Sequence, residues 1–207
     1  MITSFSDLDD ERKDVLKELG NIGTGNAMTS LSQMIDQTLD MEIPKVCVVP
    51  FQAVPSMLGG AETIQVGILL EVSGELSGTF MFLLNEDFTK IIIEKLVDTK
   101  IEDVCNLDEL SKSAISEIGN IMCCSYINAL SKLMHVDIHV SLPSVCSDMA
   151  GAILSVPMIK FAHIGDEMLF IENRFQLDKV PLISHILFFP EFESLNFMFQ
   201  TLGILYE

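Results

Sequence analysis

The 207-residue sequence predicts an α+β fold, in which an internally duplicated helix-plus-antiparallel-strand unit has pseudo-two-fold symmetry and its helices pack on a shared sheet. Two observations predict this class. Residues 14–44 align without gaps on residues 113–143, which indicates an internal repeat. After each aligned segment come long apolar runs separated by short turns, as in antiparallel hairpins, and then an amphipathic helix suited to covering a sheet.

Both copies predict the order helix, three strands, helix. In the first copy the opening helix contains residues 14–35, and the later elements are Lys45–Pro50, Thr63–Val72, Thr79–Leu84 and the helix Glu86–Val97. The second copy has an insertion of a few residues. Its later elements are the strand Ser144–Ser147, a hairpin region built from Met149–Ile164, Met168–Glu172 and Ile183–Phe189, and a weaker helix over Glu191–Leu202.

A single domain over residues 1–207 is predicted, made of repeats at about 8–97 and 107–205. An acidic connector, residues 98–108, joins them. The competing interpretation is two independently folded halves. About 100 residues can fold alone, but only with marginal stability, so the shared core is favoured.

Charge and hydrophobicity exclude several classes of protein. The chain has 12 Lys and Arg against 30 Asp and Glu, a net charge of −18, which would repel a nucleic-acid backbone. With 49% hydrophobic residues it is not expected to be disordered. The acidic start lacks the pattern of a signal peptide, and no apolar run reaches the roughly 18 residues of a membrane helix. We expect a cytoplasmic protein with neither nucleic acid nor membrane as a partner.

The cysteines and histidines do not form a metal-binding pattern. Five cysteines without a C-x-x-C pair predict buried, reduced thiols. His135 and His139 have i, i+4 spacing, but the residues between them alternate as in a strand, so they would not converge on a metal. With His163 and His185 also isolated, no metal site is expected.

A polar stripe on the first helix is the candidate functional site. On a helical wheel Asp14, Glu18, Asn21 and Gly25 fall within about 60° of one another. The face expected to be buried lies about 100° away and contains Val15, Leu19, Ile22 and Asn26.

The second copy places Ser113, Glu117, Asn120 and Cys124 at the same spacing, beside the apolar residues Ala114, Ile118 and Ile121. A single Glu and Asn on a helix would ordinarily be solvated side chains without a role. Their recurrence at identical spacing favours a function.

Asn21, Gly23 and Gly25 are all poor helix formers, so their cluster in the first helix costs stability. Either a close approach of another backbone at the glycines or a function for the amide would offset that cost.

The full pattern is (Asp or Ser)-x3-Glu-x2-Asn-x22-Pro, and it occurs at Asp14 to Pro44 and again at Ser113 to Pro143. With both copies complete, the sequence resembles the CheC family of chemotaxis phosphatases over nearly its full length. The resemblance implies that the protein dephosphorylates a CheY-like response regulator, with Glu18–Asn21 and Glu117–Asn120 as two catalytic pairs. It also implies that Asp14 and Ser113 are companions on the helix face, and that Pro44 and Pro143 end the segment before the following strand.

The resemblance implies no cofactor of the protein's own, because the response regulator supplies Mg²⁺ with the phosphoryl group. It also implies a second partner, the receptor deamidase CheD. Two alternatives stay open: a non-catalytic module that regulates CheD, and a flagellar-switch-associated phosphatase similar to FliY. The second is disfavoured because only eight residues, QTLGILYE, follow Phe199.

Overall fold

The computed structural model describes residues 2–42, 44–161, 166–177 and 180–204. These residues form helices and strands in an order that runs twice along the chain, from α1 to α3 and from α4 to α6. The elements are α1 (Asp10–Met34), β1 (Asp40–Met41), β2 (Lys45–Pro50), α2 (Val54–Met57), β3 (Ile64–Gly74), β4 (Gly78–Asn85), α3 (Glu86–Val97), α4 (Glu109–Met134), β5 (Ile138–Val140), β6 (Ser144–Met149), α5 (Ala150–Phe161), β7 (Glu167–Leu177), β8 (Val180–Pro190) and α6 (Phe192–Thr201). The predicted α+β class is confirmed, whereas the internal duplication stays a sequence prediction.

One antiparallel sheet contains all eight of these strands, in the order β1-β7-β8-β4-β3-β5, with β2 also paired to β7 and β6 to β3. The short strands therefore cross between halves. β1 and β2 of the first half pair with β7 of the second, and β5 and β6 pair with β3 of the first. At the centre β4 pairs with β8, for example Phe80 with Phe188.

The sheet is buried on both faces, which explains why its long strands are almost continuously apolar. Phe80, Phe82 and Leu84 point into a core beneath the long helices, while Met81 and Leu83 between them point into a second core on the opposite face. α2 and α5 contribute to the second core, for instance through Val54 and Ile153.

Matching caps delimit the two long helices. The side chain of Asp9 accepts a hydrogen bond from the Arg12 amide at 2.9 Å, and that of Asp108 accepts one from the Ser111 amide at 2.8 Å. Past their C-terminal ends, Asp36 and His135 have positive φ angles of 51° and 56°. These signals make α1 and α4 nearly equal in length, at 25 and 26 residues.

The predicted strand segment Met149–Ile164 is wrong. Residues 150–161 form helix α5, and residues 162–165 lie outside the described residues. The helix was missed because its outer face is not polar: Val156 and Ile159 are 56% and 79% exposed. A short apolar run without a polar side has no periodicity that separates a helix from a strand.

The other predicted helices and strands form, but β7 extends five residues past the predicted end at Glu172, and β1, α2 and β5 add to the predicted order of helix, three strands, helix. The β3–β4 hairpin and α3 form where expected, and α6 differs by one residue at each end. The prediction of buried thiols is only partly right. All five cysteines are free, but Cys105 and Cys146 are exposed, and only Cys123 is fully buried. None of the helices in the described part of the chain combines the length and apolar character needed to cross a membrane.

Candidate functional site

Small residues form part of the packed face of α1, and the predicted buried face was partly wrong. Leu19 is buried, but Val15 and Ile22 are only half-buried and Asn26 is exposed, with its amide donating to the Ile22 carbonyl at 2.8 Å. The buried residues of α1 include the small residues Gly20, Gly23, Thr24 and Ala27 beside four larger apolar ones, Leu16, Leu19, Met28 and Leu31. A hydrophobicity pattern does not reveal the small members of this face, because they have little or no apolar side chain.

The signature glycines bring each helix close to the sheet. A Cβ at Gly20 would come within 2.9 Å of Val46 Cγ2, and one at Gly119 within 2.4 Å of Ile68 Cγ2. Both positions directly precede the signature asparagines. The tight contact fixes which side of each helix faces the sheet, and thereby turns the polar stripe outward.

Both stripes show the same pattern of exposure. Glu18 and Glu117 are exposed, while Asn21 and Asn120, three residues further along, are half-buried. Three residues correspond to about 4.5 Å along a helix axis. Each site therefore presents a solvated carboxylate one turn before a partly sheltered carboxamide.

The companions Asp14 and Ser113 are also exposed. Asp14 forms an ion pair with Lys17 at 2.7 Å, and the hydrogen bond that the Lys17 ammonium donates to this carboxylate raises the pKa of Lys17. Among the residues that the structure describes, neither Glu18 nor Glu117 has an ion-pair partner within the chain. Their carboxylates are thus available to a cation on another molecule.

The two carboxamides have different surroundings. Asn120 Oδ1 accepts a hydrogen bond from Cys124 Sγ at 3.5 Å. Asn21 Oδ1 is buried and has no hydrogen-bond partner. The sequence alignment pairs Cys124 with Gly25 but gave no reason to single out the cysteine.

Pro44 and Pro143 lie immediately before β2 and β6, at half-buried positions. A proline fixes its own φ and disfavours a helical conformation in the residue before it. Their location fits the predicted role of ending the connection that leads from each long helix to its strand.

A cleft of about 290 Å³ lies beside the first stripe and was not predicted from the sequence. Its helix side is formed by Lys13, Leu16 and Lys17, and its sheet side includes Cys47 on β2 and Leu169 on β7. The cleft is of mixed charge, because Lys17 is paired with Asp14 and the acidic Glu167 also lines it.

The histidines do not come together. His135 ends α4 and His139 lies in β5, so their i, i+4 spacing is not on one helix. His163 lies outside the described residues. Within the described part of the chain, no three His, Cys, Asp or Glu side chains are arranged to hold a metal ion.

A carboxylate followed by a carboxamide on an exposed helix face can do two things chemically. The carboxylate can pair with a cation, and the carboxamide can both donate a hydrogen bond to a small molecule such as water and accept one from it. The carboxamide is neither a base nor a nucleophile near neutral pH. The site is suited to positioning.

Two family models match the chain, each over one of the predicted sites. The CheC-like family matches residues 11–48, which include Glu18 and Asn21, and the chemotaxis phosphatase CheX family matches residues 66–162, which include Glu117 and Asn120. The CheY-P phosphatase CheC of Bacillus subtilis is 30% identical over 96% of this chain and 97% of its own length. The chain belongs to the CheC-like family.

Two further matches of this CheC-like chain are FliY proteins. The flagellar motor switch phosphatase FliY of B. subtilis is 27% identical over 70% of the chain but over only 38% of FliY itself. The crystal structure of Thermotoga maritima FliY shares the fold with a TM-score of 0.73, at 24% identity, over 95% of this chain and 98% of that one. The CheC-like fold therefore extends over nearly all of the chain.

Proposed function

We propose that this CheC-like protein is a phosphatase that hydrolyses the phosphoaspartate of a CheY-like response regulator. The observation that carries the proposal is the doubled arrangement of an exposed glutamate and a half-buried asparagine on α1 and α4. It is supported by the name of the B. subtilis relative, a CheY-P phosphatase, which matches along nearly the whole chain.

Each asparagine positions the attacking water. A carboxamide is not a base near neutral pH, but its oxygen accepts a hydrogen bond and its NH2 group donates one. Together these bonds hold the water oxygen in line with phosphorus. Water attack then breaks the bond between phosphorus and the aspartate oxygen, which yields inorganic phosphate and the free carboxylate, and the proton of water leaves with phosphate.

Each glutamate sets the register of the complex. From one turn before the asparagine, its exposed carboxylate pairs with a cationic side chain on the response regulator, and this contact guides the asparagine to the phosphoryl group. The regulator's own Mg²⁺ belongs to the substrate and neutralises the phosphoryl oxygens. No step in this scheme needs a metal held by the CheC-like chain.

The decay of phosphorylated CheY tests this proposal. We expect the Asn21→Ala/Asn120→Ala protein to have lost the acceleration, and each single variant to keep the share of its remaining site if the sites act independently. The matched control is Asn26→Ala, because Asn26 is an exposed asparagine on α1 that lies off the stripe. A double variant as active as the parent would refute the proposal.

CheD is proposed as a second partner on the family resemblance alone. A pull-down with purified CheD tests it. If both the parent and the double asparagine variant capture CheD, binding does not depend on the catalytic asparagines. If the parent also has negligible phosphatase activity, the non-catalytic alternative is favoured. The FliY-like alternative shares the proposed chemistry, since the name of that relative also includes a phosphatase.

A further inference from the structure

The second site contains a contact that has no counterpart in the first. Cys124 lies one turn after Asn120, is half-buried, and directs its sulfur at the carboxamide oxygen at 3.5 Å. This distance is ordinary for a hydrogen bond that involves the larger sulfur atom. It joins the signature asparagine to a residue outside the signature.

At the first site the corresponding position is Gly25. It supplies no side chain, and Asn21 Oδ1 is buried without a hydrogen-bond partner. A buried carbonyl oxygen without a donor is destabilised. The first carboxamide is thus not held in its orientation by the residue one turn further on.

We infer that Cys124 is a positioning residue for Asn120, so that the second site has a preoriented carboxamide and the first does not. This inference rests on the proposed function and specifies how its two sites differ.

The thiol is suited to act as a donor. Burial raises the pKa of Cys124, and the nearby Glu117 carboxylate raises it further. The sulfur therefore keeps its proton at neutral pH, and a protonated thiol is a weak hydrogen-bond donor.

The contact also determines which way the carboxamide faces. With Oδ1 turned toward Cys124, the NH2 group of Asn120 points away from the thiol, and the oxygen retains a second lone pair for water. A carboxamide already held in one orientation loses less rotational freedom when the complex forms. At the first site, Asn21 must be ordered by the arriving partner.

The missing thiol can be introduced at the first site. A Cβ at Gly25 would have no heavy atom within 4 Å, so cysteine fits there without displacing a neighbour. Gly25→Ala is the matched control, because it adds the Cβ and stiffens the helix without adding a donor.

The experiment measures kcat and KM for phosphorylated CheY in single-site backgrounds. In Asn21→Ala, where only the second site remains, we expect Cys124→Ala to lower kcat about three- to fivefold with KM nearly unchanged, and Cys124→Ser to restore it. In Asn120→Ala, we expect Gly25→Cys to raise kcat about threefold and Gly25→Ala to raise it less.

Several outcomes would overturn the inference. These are an unchanged or increased kcat in Cys124→Ala, a serine variant no better than alanine, a change in thermal stability without a change in kcat, or a gain from Gly25→Ala equal to that from Gly25→Cys. Failure of the proposed function is distinguishable from these, because it requires the double asparagine variant to keep the parental activity.

If Asn21→Ala alone abolishes activity, the kinetics of the second site cannot be measured by themselves, and the NMR signal of the Asn120 side-chain amide tests the inference instead. In proteins that keep both asparagines, this signal is expected to shift in Cys124→Ala and to return in Cys124→Ser, whereas the Asn21 signal stays in place. An unmoved Asn120 signal would overturn the inference.

Discussion

The ring of Tyr126 on α4 occupies the space that a side chain at Gly23 on α1 would need. A Cβ at Gly23 would lie 2.4 Å from two ring carbons of the tyrosine. The ring itself is 2% exposed and packs edge-on against Phe80 at a centroid distance of 5.1 Å. The crossing of the two helices that present the candidate sites therefore depends on a glycine.

Gly23→Ala is expected to destabilise the protein by about 1–3 kcal/mol, because the added methyl group must displace a buried ring. Gly25→Ala, two residues away in the same helix, adds a methyl group with no neighbour within 4 Å, and is expected to be neutral or stabilising by up to about 1 kcal/mol. Urea unfolding of both variants measures the difference. Equal free energies of unfolding would show that the Tyr126 contact does not limit residue size at position 23.

The glutamates and asparagines are expected to affect different kinetic constants. In the Asn120→Ala background, Glu18→Gln should raise KM for phosphorylated CheY about tenfold with little change in kcat, since the carboxylate contributes to docking. Glu117→Gln in the Asn21→Ala background should do the same. Glu11→Gln, an exposed glutamate near the start of α1, is the control. A fall in kcat at constant KM would assign the glutamates to chemistry instead.

Salt is expected to change this KM only modestly. The chain has a net charge of −18, so long-range attraction to a phosphorylated partner does not drive the encounter. Added salt screens the overall repulsion and also weakens the local pairs made by Glu18 and Glu117, and the two effects oppose each other. Measuring KM between low and moderate ionic strength checks this. A steep rise in KM with salt would contradict it.

Much of the fold could be predicted from the sequence, for physical reasons that differ between elements. The β3–β4 hairpin follows from two apolar runs joined by a short glycine-containing turn. Helix α3 follows Asn85, whose side chain caps it by accepting from the Phe88 amide at 2.9 Å. The candidate stripes could be found because both copies keep the same residues at the same spacing. In each case the signal can be read from the residue pattern without any tertiary contact.

The errors arose where the deciding contact is distant in the chain. The closest approaches on α1 are those of Val46 to Gly20 and of Tyr126 to Gly23, and a glycine adds no apolar signal to a periodic pattern. Helix α5 was predicted as a strand because exposed Val156 and Ile159 remove its polar side. The crossing of β2 to β7 is likewise a property of the assembled sheet and not of either repeat.

That crossing predicts that the two halves do not fold separately. In a fragment of residues 1–103, β1 and β2 lack their partner β7, and in residues 104–207 β5 and β6 lack β3. Each fragment would also expose the apolar central strand β4 or β8 as a free edge, which favours aggregation. We expect each fragment alone to be unfolded or aggregated by circular dichroism and gel filtration, and the two to assemble when co-expressed. A monomeric, cooperatively unfolding fragment would support the alternative of independent halves.

His185 is expected to make stability depend on pH between about 4 and 6.5. It lies on β8 with 5% exposure, near the Phe170 ring and 3.8 Å from Glu172, with Arg174 close to the same carboxylate. Burial lowers the pKa of His185 to about 4, although Glu172 opposes the shift. The unfolded chain binds a proton near pH 6.5 and the folded chain does not, so the free energy of unfolding falls as the pH drops through this range. Above it, this histidine contributes no pH dependence.

The test variant is His185→Gln, and its matched control is His139→Gln, because His139 is exposed on β5. Urea unfolding from pH 4.5 to 8 should show a loss of up to about 3 kcal/mol toward low pH in the parent and in His139→Gln, and a shallower slope in His185→Gln. Glu172 affects stability at lower pH than His185 does. Burial opposes the shift, but Arg174 and Lys45 lower the pKa of Glu172 below the usual 4.5, so the stability that its ion pairs contribute is lost only as the pH falls further. Parallel slopes for the parent and His185→Gln would mean that the buried imidazole accepts its proton in the folded protein, with Glu172 as its counter-ion.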